Sequence, residues 1–168
     1  SLERAYHRVE PNCPAIILNG SGIYDFHKNE IVWKKTVSQP GRDFVKQMLK
    51  KYSRGFNRLE VGIFGLKKVY IVRAGLLSLG QVILDKVPYT VTDIDSVPDD
   101  DWFKVIFWGN PLTLKKLRKD AKEAKSVGNF MESSVVTYEM LETGVHKGTA
   151  VMELAEILGV DPEHTAAI

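Results

Sequence analysis

The sequence is short of cysteine: Cys13 stands alone. One cysteine excludes an internal disulfide framework and a cysteine-built zinc site, and it fits a reducing compartment. Cys13 lies between Pro11 and Pro14 with no placed base beside it, so it does not read as a nucleophile. Long apolar runs are absent too: nothing reaches the roughly 18 residues expected of a membrane-spanning helix. An excess of one charge is also lacking, since 23 Lys and Arg against 21 Asp and Glu leave a net charge of +2. Charge therefore makes no case for nucleic acid or an anionic membrane as a partner. His7, His27, His146 and His164 show no metal-ligand spacing and read as surface residues. No signal peptide is visible at Ser1, and the expected location is cytoplasmic. The chain does not open on Met, which reads as a processed or cut N-terminus.

What is present is ordinary globular composition. The 168 residues are 44% hydrophobic and 26% charged, enough for one good core with flanking pieces.

The most informative stretch runs from Leu141 to Val160. Val151, Leu154, Ala155 and Leu158 fall at i, i+3, i+4 and i+7, one apolar face of a helix. Gly159, with Asp161-Pro162 behind it, stops that helix. Lys147 and Gly148 then occupy its first turn, where free backbone N–H groups make an anion site. A lysine there opposes the helix dipole by about 0.3–1 kcal/mol if exposed. Helix stability alone does not select it; holding a phosphate or neutralising carboxylates does. A solvated lysine beside a glycine-rich turn is the alternative, and spacing alone leaves it open.

In chain order, Ser1–Glu10 reads as the tail of a helix ended by Pro11 to Pro14. Ala15-Ile-Ile-Leu18 reads as a buried strand of a sheet covered on both faces. It runs into Asn19-Gly-Ser-Gly22, a loop that allows positive φ and close backbone approach. A strand entering a glycine-rich loop is where α/β folds place ligands, though the dinucleotide fingerprint is missing. Ile23–Phe26 and Ile31–Trp33 read as a hairpin. Pro40 opens a helix, with Ser38 as its expected N-cap and Phe44, Val45, Met48, Leu49 and Tyr52 as its buried face. Strands follow at Leu59–Phe64 and Val69–Val72, then a short helix at Leu76–Leu84 interrupted by Gly80.

Asp99-Asp-Asp101 reads as a solvated turn, because a calcium loop needs alternating ligands and a turn glycine. Trp102–Trp108 is an expected strand. Asn110-Pro111 starts a helix with Leu114, Leu117, Ala121 and Ala124 buried. Its other face, from Lys115 to Lys125, is basic and reads as solvated. Gly128–Met131 and Ser134–Met140 are the next expected strands, and Thr165–Ile168 starts another. The middle, about Ile23 to Met140, is expected to form an antiparallel or mixed sheet with helices on one face. The two ends read instead as β/α units of a doubly wound fold, as an inserted domain would produce.

At this point the residues carry a family resemblance. Pro14-Ala-Ile-Ile-Leu-Asn-Gly-Ser-Gly-Ile-Tyr-Asp25 resembles the strand, Asn-Gly loop and hairpin that open the cap domain of Cof-type haloacid dehalogenase-like (HAD) phosphatases. Thr143-Gly-Val-His-Lys-Gly-Thr-Ala150 and the helix after it resemble the segment by which that family leaves the cap. The order matches, the insert between is cap-sized, and His146 stands where a small polar residue is usual.

The resemblance implies an α/β protein with an α+β insert: a C2-type cap domain over residues 21–140. Residues 1–20 and 141–168 would be the two hinges with fragments of a Rossmann-like core. It implies a Mg²⁺-dependent phosphatase working through an aspartyl-phosphate on small phosphorylated metabolites. By motif match Lys147 is the lysine that holds the phosphoryl group, Asn19 and Gly20 belong to the loop at the active-site entrance, and Glu139 is a polar residue near the second hinge. The family's Asp-x-Asp-Gly-Thr nucleophile motif and its Gly-Asp-x-x-Asn-Asp metal motif are not in this sequence. The Mg²⁺ ligands would lie outside this chain, which is expected to need the missing core as its partner and to be inactive alone. Two other classes compete: a non-enzymatic α/β domain binding an anion or metabolite at Lys147 and Asn19-Gly20, and a structural module in which both motifs serve packing.

Overall fold

The computed structural model describes residues 11–124 and 126–165. The helix expected at Ser1–Glu10, Lys125, and the last three residues of the strand expected at Thr165–Ile168 lie outside them.

Two sheets organise the chain. The smaller is an antiparallel meander of β1 (Ala15–Ile17), β2 (Gly22–Asp25) and β3 (Glu30–Lys34). The larger contains β4 (Glu60–Phe64), β5 (Val69–Arg73), β6 (Tyr89–Val91), β7 (Lys104–Trp108), β8 (Asn129–Ser134) and β9 (Thr137–Leu141), in the order β6-β5-β4-β7-β9-β8. All its pairings are antiparallel except β5 with β6, so the sheet is mixed. The helices are α1 (Gln39–Lys51), α2 (Leu76–Leu84), α3 (Pro111–Glu123) and α4 (Lys147–Leu158).

Alternation along the strands sorts the core into two layers. Val61 faces Phe107, and Ile63 faces Val105 across β4 and β7; Val105 in turn faces Met140. These side chains are fully buried against Phe44, Val45 and Met48 of α1 and Leu114 and Leu117 of α3. The intervening residues point the other way. Ile71, Ile106 and Trp108 meet Val82 of α2 there, and Trp108 Nε1 donates to Gln81 Oε1 at 2.7 Å. The expected helices on one face therefore need correction: α1 and α3 share a face, and α2 covers part of the opposite one. The crossover from β5 through α2 to the parallel strand β6 requires it. Gly62 makes room on that side, because a Cβ there would stand 2.9 Å from the Trp108 ring.

Strand β6 escaped the sequence reading. It is three residues long, and Tyr89 and Val91 are exposed, so it lacks the signature of a half-buried strand. The expectation for β1 also changes. It pairs with β2 alone among the described strands, and of its residues only Ile17 is buried. Helix α4 packs on β1, β2 and the Leu18–Gly20 turn, which brings the two ends of the described chain together. Its buried side is Ala150 and Ala155, whereas Leu158, expected inside, is exposed.

Polar contacts set several element ends. Ser38 makes no side-chain cap to α1, contrary to expectation. The Glu142 carboxylate does the work instead, accepting from Ser38 N at 2.6 Å and Ser38 Oγ at 3.2 Å. Glu60 similarly accepts from Ser78 N at 2.7 Å in the first turn of α2. Asn110 caps α3 as expected, accepting from Thr113 N at 2.9 Å. The aspartate turn is solvated at Asp99 and Asp100, as it reads, and only Asp101 turns partly inward. Asp99 pairs with Arg42 and Asp100 with Lys34, both at 3.0 Å. Asp101 accepts from Tyr70 Oη at 2.6 Å and Leu66 N at 2.9 Å.

Two predictions follow from these contacts. Glu142→Ala is expected to cost about 0.5–2 kcal/mol in urea unfolding, the usual range for a lost N-terminal cap, and Ser38→Ala less. Equal losses would return the capping role to Ser38. The second concerns alkaline pH. Burial, with the hydrogen bond to Asp101 second, pushes the Tyr70 hydroxyl up to about 12. Its folded pKa thus exceeds the unfolded value of about 10, so its stabilisation is complete below that pH and fades as pH rises toward 12. Tyr70→Phe is expected to cost about 1–2 kcal/mol at neutral pH. The gap to wild type should close between about pH 10 and 12; parallel profiles would refute the assignment.

Candidate functional site

Among the described residues, the turn after β1 holds the longest run of positive φ. Leu18, Asn19 and Gly20 have φ of 50°, 60° and 104° in succession. Left-handed backbone at a non-glycine residue costs on the order of 1 kcal/mol, and such strain persists only where surroundings enforce it. Here two contacts enforce it. Gly20 lies so close to the start of α4 that a Cβ would stand 2.6 Å from His146 O and 3.0 Å from Lys147 N. Asn19 reaches the other way, donating from Nδ2 to Glu139 Oε2 at 2.7 Å.

Glu139 reaches that meeting point from β9. Its partner across the sheet is Ile106, which places it on the face opposite α1 and α3. Lys104, two residues before Ile106 and paired with Phe64, shares that face. Its Nζ lies 3.4 Å from Glu139 Oε2, and the two side chains are 13% and 10% exposed. The ammonium also sits 4.7 Å from the Phe64 ring centroid. A charge pair this buried holds only with good compensation, which Asn19 and Phe64 supply.

Lys147 is the first residue of α4 and is exposed. No carboxylate among the described residues pairs with it. His146 supplies the N-cap: its Nδ1 accepts from Thr149 N at 3.2 Å, while Thr149 Oγ1 accepts from His146 N at 3.0 Å. This reciprocal pair is a capping box, in which His146 takes the N-cap place that small polar side chains often fill.

The four residues singled out from the sequence are linked in two contacts on either side of the Asn19–Gly20 loop. Asn19 touches Glu139, and Gly20 touches the backbone of Lys147. Chemically the cluster offers a free cation, a strained amide-bearing loop and a charge-compensated carboxylate. Sequence reasoning missed Lys104 and Phe64. The strand alone gives no signal: the alternation Lys104, Ile106, Trp108 sets a lysine on one face, and only the pairing of β7 with β9 shows that Glu139 lies on that face. The carboxylates give a different result. Among the described residues no group of three His, Cys, Asp or Glu side chains could hold a metal ion. Nor is any described helix long and apolar enough to cross a membrane.

The family model for haloacid dehalogenase-like hydrolases matches residues 1–168. YxeH of Bacillus subtilis (strain 168), provisionally named a phosphatase, is 24% identical over 165 residues. That match covers 95% of this chain and 59% of YxeH, so the chain spans about three fifths of that relative's length. A haloacid dehalogenase-like hydrolase from Bacteroides thetaiotaomicron superposes with a TM-score of 0.78 at 14% identity, covering 95% of this chain and 59% of that one. The subclass IIB sugar phosphatase BT4131 superposes with a TM-score of 0.72 at 9% identity, covering 96% and 59% respectively. The resemblance read from the two motifs is borne out, and the chain belongs to the haloacid dehalogenase-like hydrolase family.

Proposed function

We infer that this chain is the cap-domain and hinge portion of a Mg²⁺-dependent phosphatase that hydrolyses small phosphorylated metabolites. In this reading residues 21–140 form the cap, 1–20 and 141–168 carry the hinges and core fragments, and the remaining core supplies the nucleophilic aspartate and the acids that hold Mg²⁺. The described residues offer no set that fits the ion. The observation that carries the reading is that the Asn19–Gly20 loop touches Glu139 on one side and, on the other, the backbone of Lys147, which is exposed and pairs with no described carboxylate at a helix start. Relatives support the substrate class: one similar structure is named a sugar phosphatase.

The role of each residue follows from its chemistry. Lys147 offsets the negative charge of the nucleophile and of the transferring phosphoryl group, which would otherwise repel one another. Gly20 lets the entrance loop lie directly on the first peptide of α4, keeping that lysine at a fixed place. Asn19 and Glu139 link the loop to the cap sheet, so the cap has a defined seat above the site.

The test is hydrolysis of p-nitrophenyl phosphate with Mg²⁺ and with EDTA. The 168-residue chain is expected to show no turnover in either. A protein carrying this chain together with the rest of the core is expected to show turnover that EDTA abolishes. Lys147→Ala in that protein should lower kcat/KM by about 10²–10³-fold. Turnover by the 168-residue chain alone that survives Lys147→Ala would overturn the reading. Tight Mg²⁺-independent phosphate binding without turnover by the longer protein would favour a binding domain instead.

A further inference from the structure

Helix α2 turns its apolar stripe outward. Its buried residues are Ser78 and Val82, whereas Leu76 and Leu84 are 88% and 82% exposed, and Leu77 and Ile83 are exposed as well. Taking Gly80 as i, the exposed leucines and isoleucine stand at i−4, i−3, i+3 and i+4, which is one helix face centred on the glycine. Nothing lies within 4 Å of a Cβ built at Gly80. A glycine inside a helix lowers its stability, and no contact among the described residues requires this one. Beside the helix, β6 is the edge strand of the larger sheet. Its Tyr89 and Val91 pair with Val69 and Ile71, which lie on the α2 face, and both are exposed. Contiguous apolar surface of this kind marks an interaction site.

We propose that this surface is a two-fold interface with a second copy of the same protein, in which the two α2 helices run antiparallel and cross at Gly80. Three observations select that occupant. The stripe reads the same from either end, as a two-fold requires, since each residue must meet on the other copy the residue that meets it in return. Leu76 then packs on Leu84 of the second copy and Leu77 on its Ile83, while the paired glycines let the helix axes come close. The ends match in charge. Asp85 follows the last turn of α2, and Arg58 sits at the first, donating from Nη2 to Ala74 O at 2.9 Å. Neither has an oppositely charged partner among the described residues. The antiparallel crossing carries each Asp85 to the other copy's Arg58. The area also suffices. Side chains this exposed contribute on the order of 600 Å² per copy, against the roughly 800 Å² that each partner of a standard interface buries. Strand β6 lies four places from β9 in the sheet, roughly 19 Å from the strand that bears Glu139, so the interface leaves the Asn19 junction free. The proposal concerns assembly and stands apart from the phosphatase reading.

The experiment measures mass in solution, by sedimentation at micromolar concentration, of the complete protein that carries this chain with the rest of its core. Twice the monomer mass is expected. Leu84→Glu places a charge in the stripe, at a side chain the fold leaves exposed. It is expected to raise the dimer Kd by about 100-fold or more with the circular dichroism spectrum unchanged. Arg58→Asp and Asp85→Arg should each raise that Kd by about tenfold, and the double variant, which restores opposite charges across the two-fold, should recover most of the loss. A monomeric wild type would overturn the proposal, and if Leu84→Glu then unfolded the protein, the rest of the core would be what covers the stripe. A dimer whose Kd is unmoved by Leu84→Glu would equally overturn it, because another surface would be holding the copies together. The wild-type mass and the charge exchange decide the matter even if Leu84→Glu fails to fold.

Discussion

The contact on which the arrangement depends is the 2.7 Å bond from Asn19 to Glu139, which closes a loop of 120 residues. Almost all of the larger sheet and three of the helices lie inside that loop. The bond is held at both ends. On one side the left-handed turn at Leu18–Gly20 aims the Asn19 amide outward while its next residue rests on the His146–Lys147 peptide. On the other, Glu139 is anchored by its place in β9 and by Lys104. Closing a long flexible loop costs only slowly more as it lengthens. The sheet inside can therefore be large without loosening the junction where entry and exit meet.

That same geometry explains why much of the architecture could be read from the chain. Strands β4, β5 and β7 are buried on both faces or nearly so, and such strands announce themselves as apolar runs. Helices α1 and α3 carry their starts in the sequence as Pro40 and Asn110-Pro111. What escaped was non-local. Strand β6 exists because α2 returns the chain beside β5, and neither Tyr89 nor Val91 is buried enough to mark it. The cap of α1 comes from Glu142, 104 residues from Ser38, so no local rule could assign it.

The candidate site divides in the same way. Asn19, Gly20 and Lys147 stood out because each sits in a short stretch whose residue types serve backbone geometry or anion chemistry. Lys104 did not, because it opens a strand whose apolar centre dominates any reading of it. Its meaning appears only when the register places it opposite Phe64 and near Glu139. Registry across a sheet carries that information, and a single strand does not contain it.

The start of α4 shows how an exposed positive charge can be kept where helix formation disfavours it. An exposed lysine in the first turn works against the helix dipole by about 0.3–1 kcal/mol. A side-chain acceptor at the N-cap typically contributes about 1 kcal/mol, and here the His146–Thr149 pair satisfies two donors at once. The cap offsets the lysine, and Gly159 with φ of 64° closes the other end of the helix. Helix α4 is thus stable with Lys147 at its tip, yet the lysine adds nothing to that stability. Its ammonium is left unpaired by every described carboxylate while Gly20 packs on its own backbone. The charge at Lys147 is thus one that the described fold neither needs nor neutralises, at the point where α4 meets the Leu18–Gly20 turn.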